Sequence, residues 1–320
     1  MIRIGTFALI LALASQAQAS LTLTPLGVGQ DLSLTTFISG FPNSGIGPLG
    51  TAFTADGGVL VSDYNSGSVY RFASDTDGQV ASAGRIAANY GAKNPNDMAQ
   101  LGGGIFMTRQ ATGDLVRLNQ DGTLAQVIVG GMPLATGLVA DPFNGRLFVS
   151  TLGNGVIYEV DPSAMTKTRF LNVDVDGLTL SPDGSILYGA GANGHILGFS
   201  TTTRAEVFDS GSIPGGLDGT AVGTGPIFSG LIFANTNAGQ VFEINLNTLA
   251  QTLIATGGSR GDFVTVDPTN NTLLITQSDR IIRLNGASFT AVPEPSSLTL
   301  CGIAGVAGLV VARVRREWGE

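Results

Sequence analysis

Residues 177–188 read Gly177-Leu-Thr-Leu-Ser-Pro-Asp-Gly-Ser-Ile-Leu-Tyr188. A short β-branched and apolar run meets a Ser-Pro-Asp-Gly turn, then a second apolar run begins. Proline presets φ, glycine accepts positive φ and aspartate bonds to nearby amides, so the turn has a mechanism. The unit recurs. Gly50-Thr-Ala-Phe-Thr-Ala55, Asp97-Met-Ala-Gln-Leu101, Gly137-Leu-Val-Ala140, Gly219-Thr-Ala-Val222 and Asp262-Phe-Val-Thr-Val266 open the same way, and successive openings are 47, 40, 40, 42 and 43 residues apart. Comparable turns follow at Ala55-Asp-Gly-Gly58, Asp141-Pro-Phe-Asn-Gly145 and Asp267-Pro-Thr-Asn-Asn271.

A third run follows in each unit, as in Asn65-Ser-Gly-Ser-Val-Tyr-Arg-Phe72, Asn154-Gly-Val-Ile-Tyr-Glu-Val160 and Ser278-Asp-Arg-Ile-Ile-Arg-Leu284. A weaker fourth closes most units, as in Leu124-Ala-Gln-Val-Ile-Val129 and Ala205-Glu-Val-Phe208. Four short strands per period near 42, with no amphipathic helix between them, predict an all-β fold, a six-bladed β-propeller. The unassigned run Leu32–Ile38 and the segment Ser288–Val292 compete to supply the strand that closes the ring and removes its free edges.

The body is flanked by two transit segments. Arg3, the apolar run Phe7–Ala14 and Ala17-Gln18-Ala19 predict a signal peptide over residues 1–19, cut after Ala19. No cysteine follows the cut, which argues against a lipid anchor. Near the other end stand Pro293-Glu294-Pro295, the uncharged stretch Leu298–Ala312 and the basic residues Arg313, Arg315 and Arg316. As a helix that stretch rises about 1.5 Å per residue, and with flanking residues and a snorkelling Arg313 it crosses a membrane. The arginines orient it basic side inward. A permanent C-terminal anchor is one reading of these residues.

These parts, in this order, resemble the PEP-CTERM sorting signal of exported Gram-negative bacterial proteins. The resemblance implies that residues 292–320 are a sorting signal and that an exosortase is the processing partner. It further implies a membrane-held precursor that later reaches the cell surface or extracellular matrix. The expected exported propeller then runs over 20–291.

Charged residues make up 12% of the chain, and its one cysteine, Cys301, lies in the apolar tail. The body therefore relies on its core and has no disulfide. It carries 21 acidic and 12 basic residues, a net charge of −9, without the Lys and Arg clusters that phosphate binding needs. Nucleic acid is excluded as a partner. Polysaccharide and envelope protein remain.

The residues just before each opening run form a ring: Leu49 or Gly50, Asn96-Asp97, Thr136, Asp176, Asp218 and Gly261-Asp262. In a propeller these line the central channel. Phe53–Asp63 and Gly177–Tyr188 look like blades of NHL-repeat and gluconolactonase-like propellers. That resemblance implies a divalent cation in the channel, Ca²⁺ or another, held here by Asn96, Asp176 and Asp218. Pro95-Asn96-Asp97 resembles one ligand motif of that family. Its first-blade Glu falls at Leu49, which has no ligating atom. Asp before Gly at such a junction also serves as an ordinary turn cap.

Other candidates are thinner. His195, the one histidine, follows Asn193-Gly194 and reads as a turn residue without a nucleophile partner. Asp75-Thr-Asp-Gly78 reads as an exposed turn, since it lacks the downstream Glu of a calcium loop. Gly102-Gly-Gly104 enters no helix and is not a phosphate cradle. Tyr64, Tyr70, Tyr90 and Tyr158 are candidates for a glycan-facing surface, although Tyr70 and Tyr158 sit in apolar runs and read as core. No complete catalytic set is present. The preferred expectation is a non-enzymatic binding or scaffold module; the alternative is a metal-dependent, lactonase-like hydrolase.

Overall fold

The computed structural model describes residues 20–42 and 45–286. The expected signal peptide with Ala17 and Ala19, the second closing candidate Ser288–Val292, and the expected membrane helix and sorting residues lie outside them. Among the described residues no helix is long and apolar enough to cross a membrane.

Six antiparallel sheets follow one another along the chain. Their innermost strands are Pro48–Phe53, Pro95–Leu101, Ala135–Asp141, Val175–Leu180, Leu217–Val222 and Val264–Val266, in blades 1 to 6. Each pairs with the next strand in sequence, and the blade grows outward strand by strand. Innermost strands pack against each other from blade 1 through to blade 6, and that of blade 1 meets the second strand of blade 6, Leu273–Gln277. This is the expected six-bladed propeller.

Ring closure is settled by strand Ser33–Ser39, which pairs antiparallel with Arg280–Asn285 as the outer strand of blade 6. A strand from the start of the body therefore completes the last blade. Two further edges are covered. Thr22–Leu23 adds to the outside of blade 5, and Gln79–Val80 lies parallel to Ile38–Ser39.

The expected turn at Asp75–Gly78 is exposed at Thr76, Asp77 and Gly78, and it also carries an ion-pair role. The Arg283 guanidinium, on the third strand of blade 6, is ion-paired with Asp75, with Asp77 at 2.8 Å and with Asp267 at 2.5 Å. It also sits 4.5 Å above the Phe37 ring of the closing strand. Three acids and a π face gather around one buried cation, so the loop is a latch between blades 1 and 6.

Second strands bury both faces because each sheet has a neighbour on either side: Val59–Asp63 is buried throughout. Core clusters form along the blades, for example Phe106, Leu115, Leu147 and Val149 between blades 2 and 3. Outer strands such as Leu124–Val129 are largely exposed. Tyr70 and Tyr158 are buried, as expected from their apolar runs.

Candidate functional site: the mouth of the channel

Five of the six innermost strands break register at the same repeat position. The pairing skips between Pro48 and Thr51, Pro95 and Met98, Ala135 and Leu138, Val175 and Leu178, and Leu217 and Thr220. Two residues there oppose one on the partner strand, which is a β-bulge, and a bulge re-aims a side chain. The re-aimed residues are Leu49, Asn96, Thr136, Asp176 and Asp218. All five line one cavity of about 300 Å³ together with Asp262. The ring expected from the repeat is thus assembled, and the three expected ligands share one pocket.

The bulges are held by a repeating hydroxyl on the second strand. Ser62 Oγ accepts from Gly50 N at 2.9 Å and donates to the Asn96 carbonyl of blade 2. Thr108 Oγ1 accepts from Asp97 N and donates to the Thr136 carbonyl at 2.7 Å. Ser150 Oγ accepts from Gly137 N and donates to the Asp176 carbonyl at 2.6 Å. Each hydroxyl ties its own blade to the next. Asp97 adds another tie: its carboxylate accepts from Met98 N and, at 2.8 Å, from Leu138 N of blade 3.

The aspartates before the glycines are therefore strand residues at bulges, not turn caps. The glycines are dictated by contact between blades. A Cβ on Gly177 would meet Gly219 Cα at 2.9 Å, and one on Gly137 would meet the Asp176 carbonyl oxygen at 2.3 Å.

The pocket has two unlike walls. On blades 4 to 6 stand Asp176, Asp218 and Asp262 with Arg260. Arg260 reaches Asp262 at 2.7 Å and Asp218 at 3.2 Å. The carboxyls of Asp176 and Asp218 are neighbours that influence each other's protonation. Burial pushes Asp218 up to about 8, helped by the charge of Asp176. Burial likewise pushes Asp176 up to about 7, with Asp262 and Asp97 adding repulsion. Asp262 rises to about 7 through burial and the charge of Asp218, against the pull of Arg260. Buried carboxyls in contact cannot all ionise cheaply.

On blades 1 to 3 the wall is uncharged. Ile46, Leu49 and Leu152 provide hydrocarbon. Tyr64 donates to Gln110 Oε1 at 2.8 Å, and Gln110 passes the chain to Thr136 Oγ1 at 3.2 Å. Asn96 is 2% exposed, and its Oδ1 has no hydrogen-bond partner; Asp176 Oδ1 is likewise buried and unpartnered.

Sequence reasoning missed Arg260, Gln110, Ile46 and Leu152, and named Tyr64 only as a candidate for a glycan-facing surface, whereas it lines this pocket. Arg260 stands two residues before Asp262 in a Gly-rich loop, a local signal that a counter-ion was near. The others come from loops of different length and carry no repeat signal. His195 lies elsewhere, bonded through Nδ1 to Asp209 at 2.7 Å. Among the described residues no three His, Cys, Asp or Glu side chains are arranged to hold a metal ion.

Residues 291–316 match the profile of the PEP-CTERM protein-sorting motif. The chain carries a PEP-CTERM sorting signal. The motif implies recognition by an exosortase and marks an exported protein that is membrane-anchored and then processed. No curated protein sequence is similar to this chain. Solved structures share its fold. A gluconolactonase from Xanthomonas campestris has 18% identity and a TM-score of 0.64, covering 83% of this chain and 94% of that one. A chain of a nidogen/laminin complex has 15% identity and a TM-score of 0.58, covering 79% of this chain and 98% of that one. A virginiamycin B lyase from Staphylococcus aureus has 14% identity and a TM-score of 0.53, covering 79% of this chain and 99% of that one. At these identities the likeness is one of fold, shared by enzymes and by a partner in a protein complex alike.

Proposed function

We propose that this PEP-CTERM propeller is a non-enzymatic binding module of the envelope or extracellular polysaccharide matrix, with the channel mouth as its ligand pocket. The carrying observation is Arg260. Its guanidinium is bonded to Asp218 and Asp262, where a metal-dependent hydrolase needs its carboxylates for a catalytic cation. Leu49 stands where the fourth oxygen ligand would be. The pocket contains acceptors, a tyrosine and an apolar wall, a composition suited to holding a ligand. The nidogen/laminin structure is a precedent for this fold in a binding role.

The test is retention of the full-length protein, in mild detergent, on matrix polysaccharide and on solubilised envelope proteins. Retention by the wild type, reduced by Asp176→Asn and Tyr64→Phe, supports the reading. Absence of retention, or retention indifferent to both variants, overturns it.

A second reading has its own observation. The unpartnered Asn96 Oδ1 and Asp176 Oδ1 suit a divalent cation held by Asn96, Asp176 and Asp218, as gluconolactonase-like enzymes would have it. Such a cation would polarise a lactone carbonyl. The donor set fits only in part, because Arg260 engages Asp218. A Ca²⁺-dependent rise in melting temperature that Asp176→Asn abolishes, joined to lactone hydrolysis, would favour this reading.

A further inference from the structure

We infer that the channel mouth takes a small organic cation, a primary ammonium carried on a short apolar body. This rests on the channel mouth being a ligand pocket and names the class of ligand.

The charge balance comes first. Asp176, Asp218 and Asp262 converge, and Arg260 is the one cation lining the pocket. Arg260 bonds Asp218 through Oδ2 and Asp262 through Oδ1 and makes no hydrogen bond to Asp176, whose neighbour is the Asp218 carboxyl and whose Oδ1 is unpartnered. Asp97 does not compete for a ligand, because both its oxygens accept backbone amides. The charged wall therefore lacks a donor-bearing positive group at Asp176. Asn96 adds an amide, 2% exposed, whose Oδ1 is also unpartnered. An ammonium brings three donors and one charge, which is what these groups lack.

The opposite wall selects among cations. Ile46, Leu49 and Leu152 face the same space, and Phe263 borders it beside Asp262. A hydrated metal ion gains nothing from hydrocarbon, whereas an alkyl chain does. The cavity of about 300 Å³ exceeds what a bare ion fills and sits at the small end of organic-ligand clefts. No three acidic, His or Cys groups among the described residues meet metal geometry. The ammonium is placed between Asp176 Oδ1 and Asn96 Oδ1, beside Asp218, with the chain running toward Leu49 and Leu152.

The test is thermal melting of the full-length protein in mild detergent at pH 8.5 and constant ionic strength. The probes are ethylammonium, butylammonium, butanol and Ca²⁺. Butylammonium is expected to raise the melting temperature saturably while butanol does not. Affinity should tighten about fourfold for each added buried methylene. Asp176→Asn should weaken butylammonium roughly thirtyfold or more. Leu152→Thr, at a partly exposed position, should flatten the chain-length dependence and keep the response to ethylammonium. A shift with Ca²⁺ alone overturns the ammonium and leaves the pocket. No shift with any probe, while matrix retention still depends on Asp176, also overturns the ammonium alone. No shift and retention indifferent to Asp176 overturn both this inference and the pocket reading beneath it.

Discussion

A methyl group added at Gly219 would stand 1.9 Å from the Asp262 carbonyl oxygen and 2.6 Å from Phe263 Cα. Both are backbone atoms of the next blade and cannot step aside. Gly219→Ala should therefore cost about 2–4 kcal/mol, measured by chemical denaturation. An unchanged midpoint would mean that the blades stand further apart than described. Ser150→Ala removes the acceptor of Gly137 N and the donor to the Asp176 carbonyl. It should cost about 1–3 kcal/mol, because both groups are left buried and unpaired. The channel aspartates have an opposite kind of effect. Asp176, Asp218, Asp262 and Asp97 all have carboxyls raised from 3.8 to about 7 or 8. The folded state therefore holds protons that the unfolded chain has released. Their contribution is complete below about pH 4 and is lost as pH rises through about 7 to 8. The melting temperature should fall between pH 5 and pH 8.5, less steeply in Asp176→Asn, and a bound cation should stabilise most at the alkaline end. A flat profile over that range would show that these carboxyls are ionised throughout. The Asp-Gly pairs were visible in the chain. Their identity as bulges was not, because a bulge is a relation between two strands.

At the scale of elements, closure of the ring depends on strand Ser33–Ser39 and on the latch that holds it. Phe37 is fully buried in that strand, under the Arg283 guanidinium. Phe37→Ala should cost about 3–5 kcal/mol. Arg283→Met leaves Asp267, itself 0% exposed, without its cation, and should cost about 3–5 kcal/mol. Burial pushes the Asp267 carboxyl up, but its hydrogen bonds from Thr269 and Arg283 outweigh this and hold it below its ordinary value. If the Arg283→Met midpoint matched the wild type, the latch would be ornamental. The four-run grammar of each blade was readable from alternating apolar runs and turn residues, because each strand's partner is its neighbour in sequence. Asp75–Gly78 is an exposed turn as expected, but its ion pairs with Arg283 were not legible, for the converse reason. Its cation lies 208 positions away from Asp75 in the chain.

For the whole molecule, a propeller whose last blade is completed by strand Ser33–Ser39 links the two ends of the body. The Thr36 carbonyl faces Gly78 on the outer edge, and Ser33 and Thr35 stand at the alternate positions. Replacing Ser33 and Thr35 by proline removes amide donors from the strand where it pairs with Arg280–Asn285 and should open the ring. The expected result is a loss of cooperativity, seen as separate transitions by near-UV and far-UV circular dichroism. One sharp transition would mean that closure is not what unites the blades. The tail makes a separate prediction. With Pro293-Glu294-Pro295 replaced by alanines, the protein should accumulate in the membrane fraction at unprocessed mass. Normal processing would remove that motif from the exosortase's recognition. The sorting motif, repeat number and fold class were all determined by the sequence alone, because they depend on local composition and on a period that survives without coordinates. The repeat also located the ring around the channel. Only the tertiary structure decided which candidate strand closes the last blade, that bulges aim Leu49, Asn96, Thr136, Asp176 and Asp218 into one cavity, and that Arg260 stands among the carboxylates. Those are contacts between blades, made by chain segments about 40 residues or more apart, and no local pattern encodes which residues will meet.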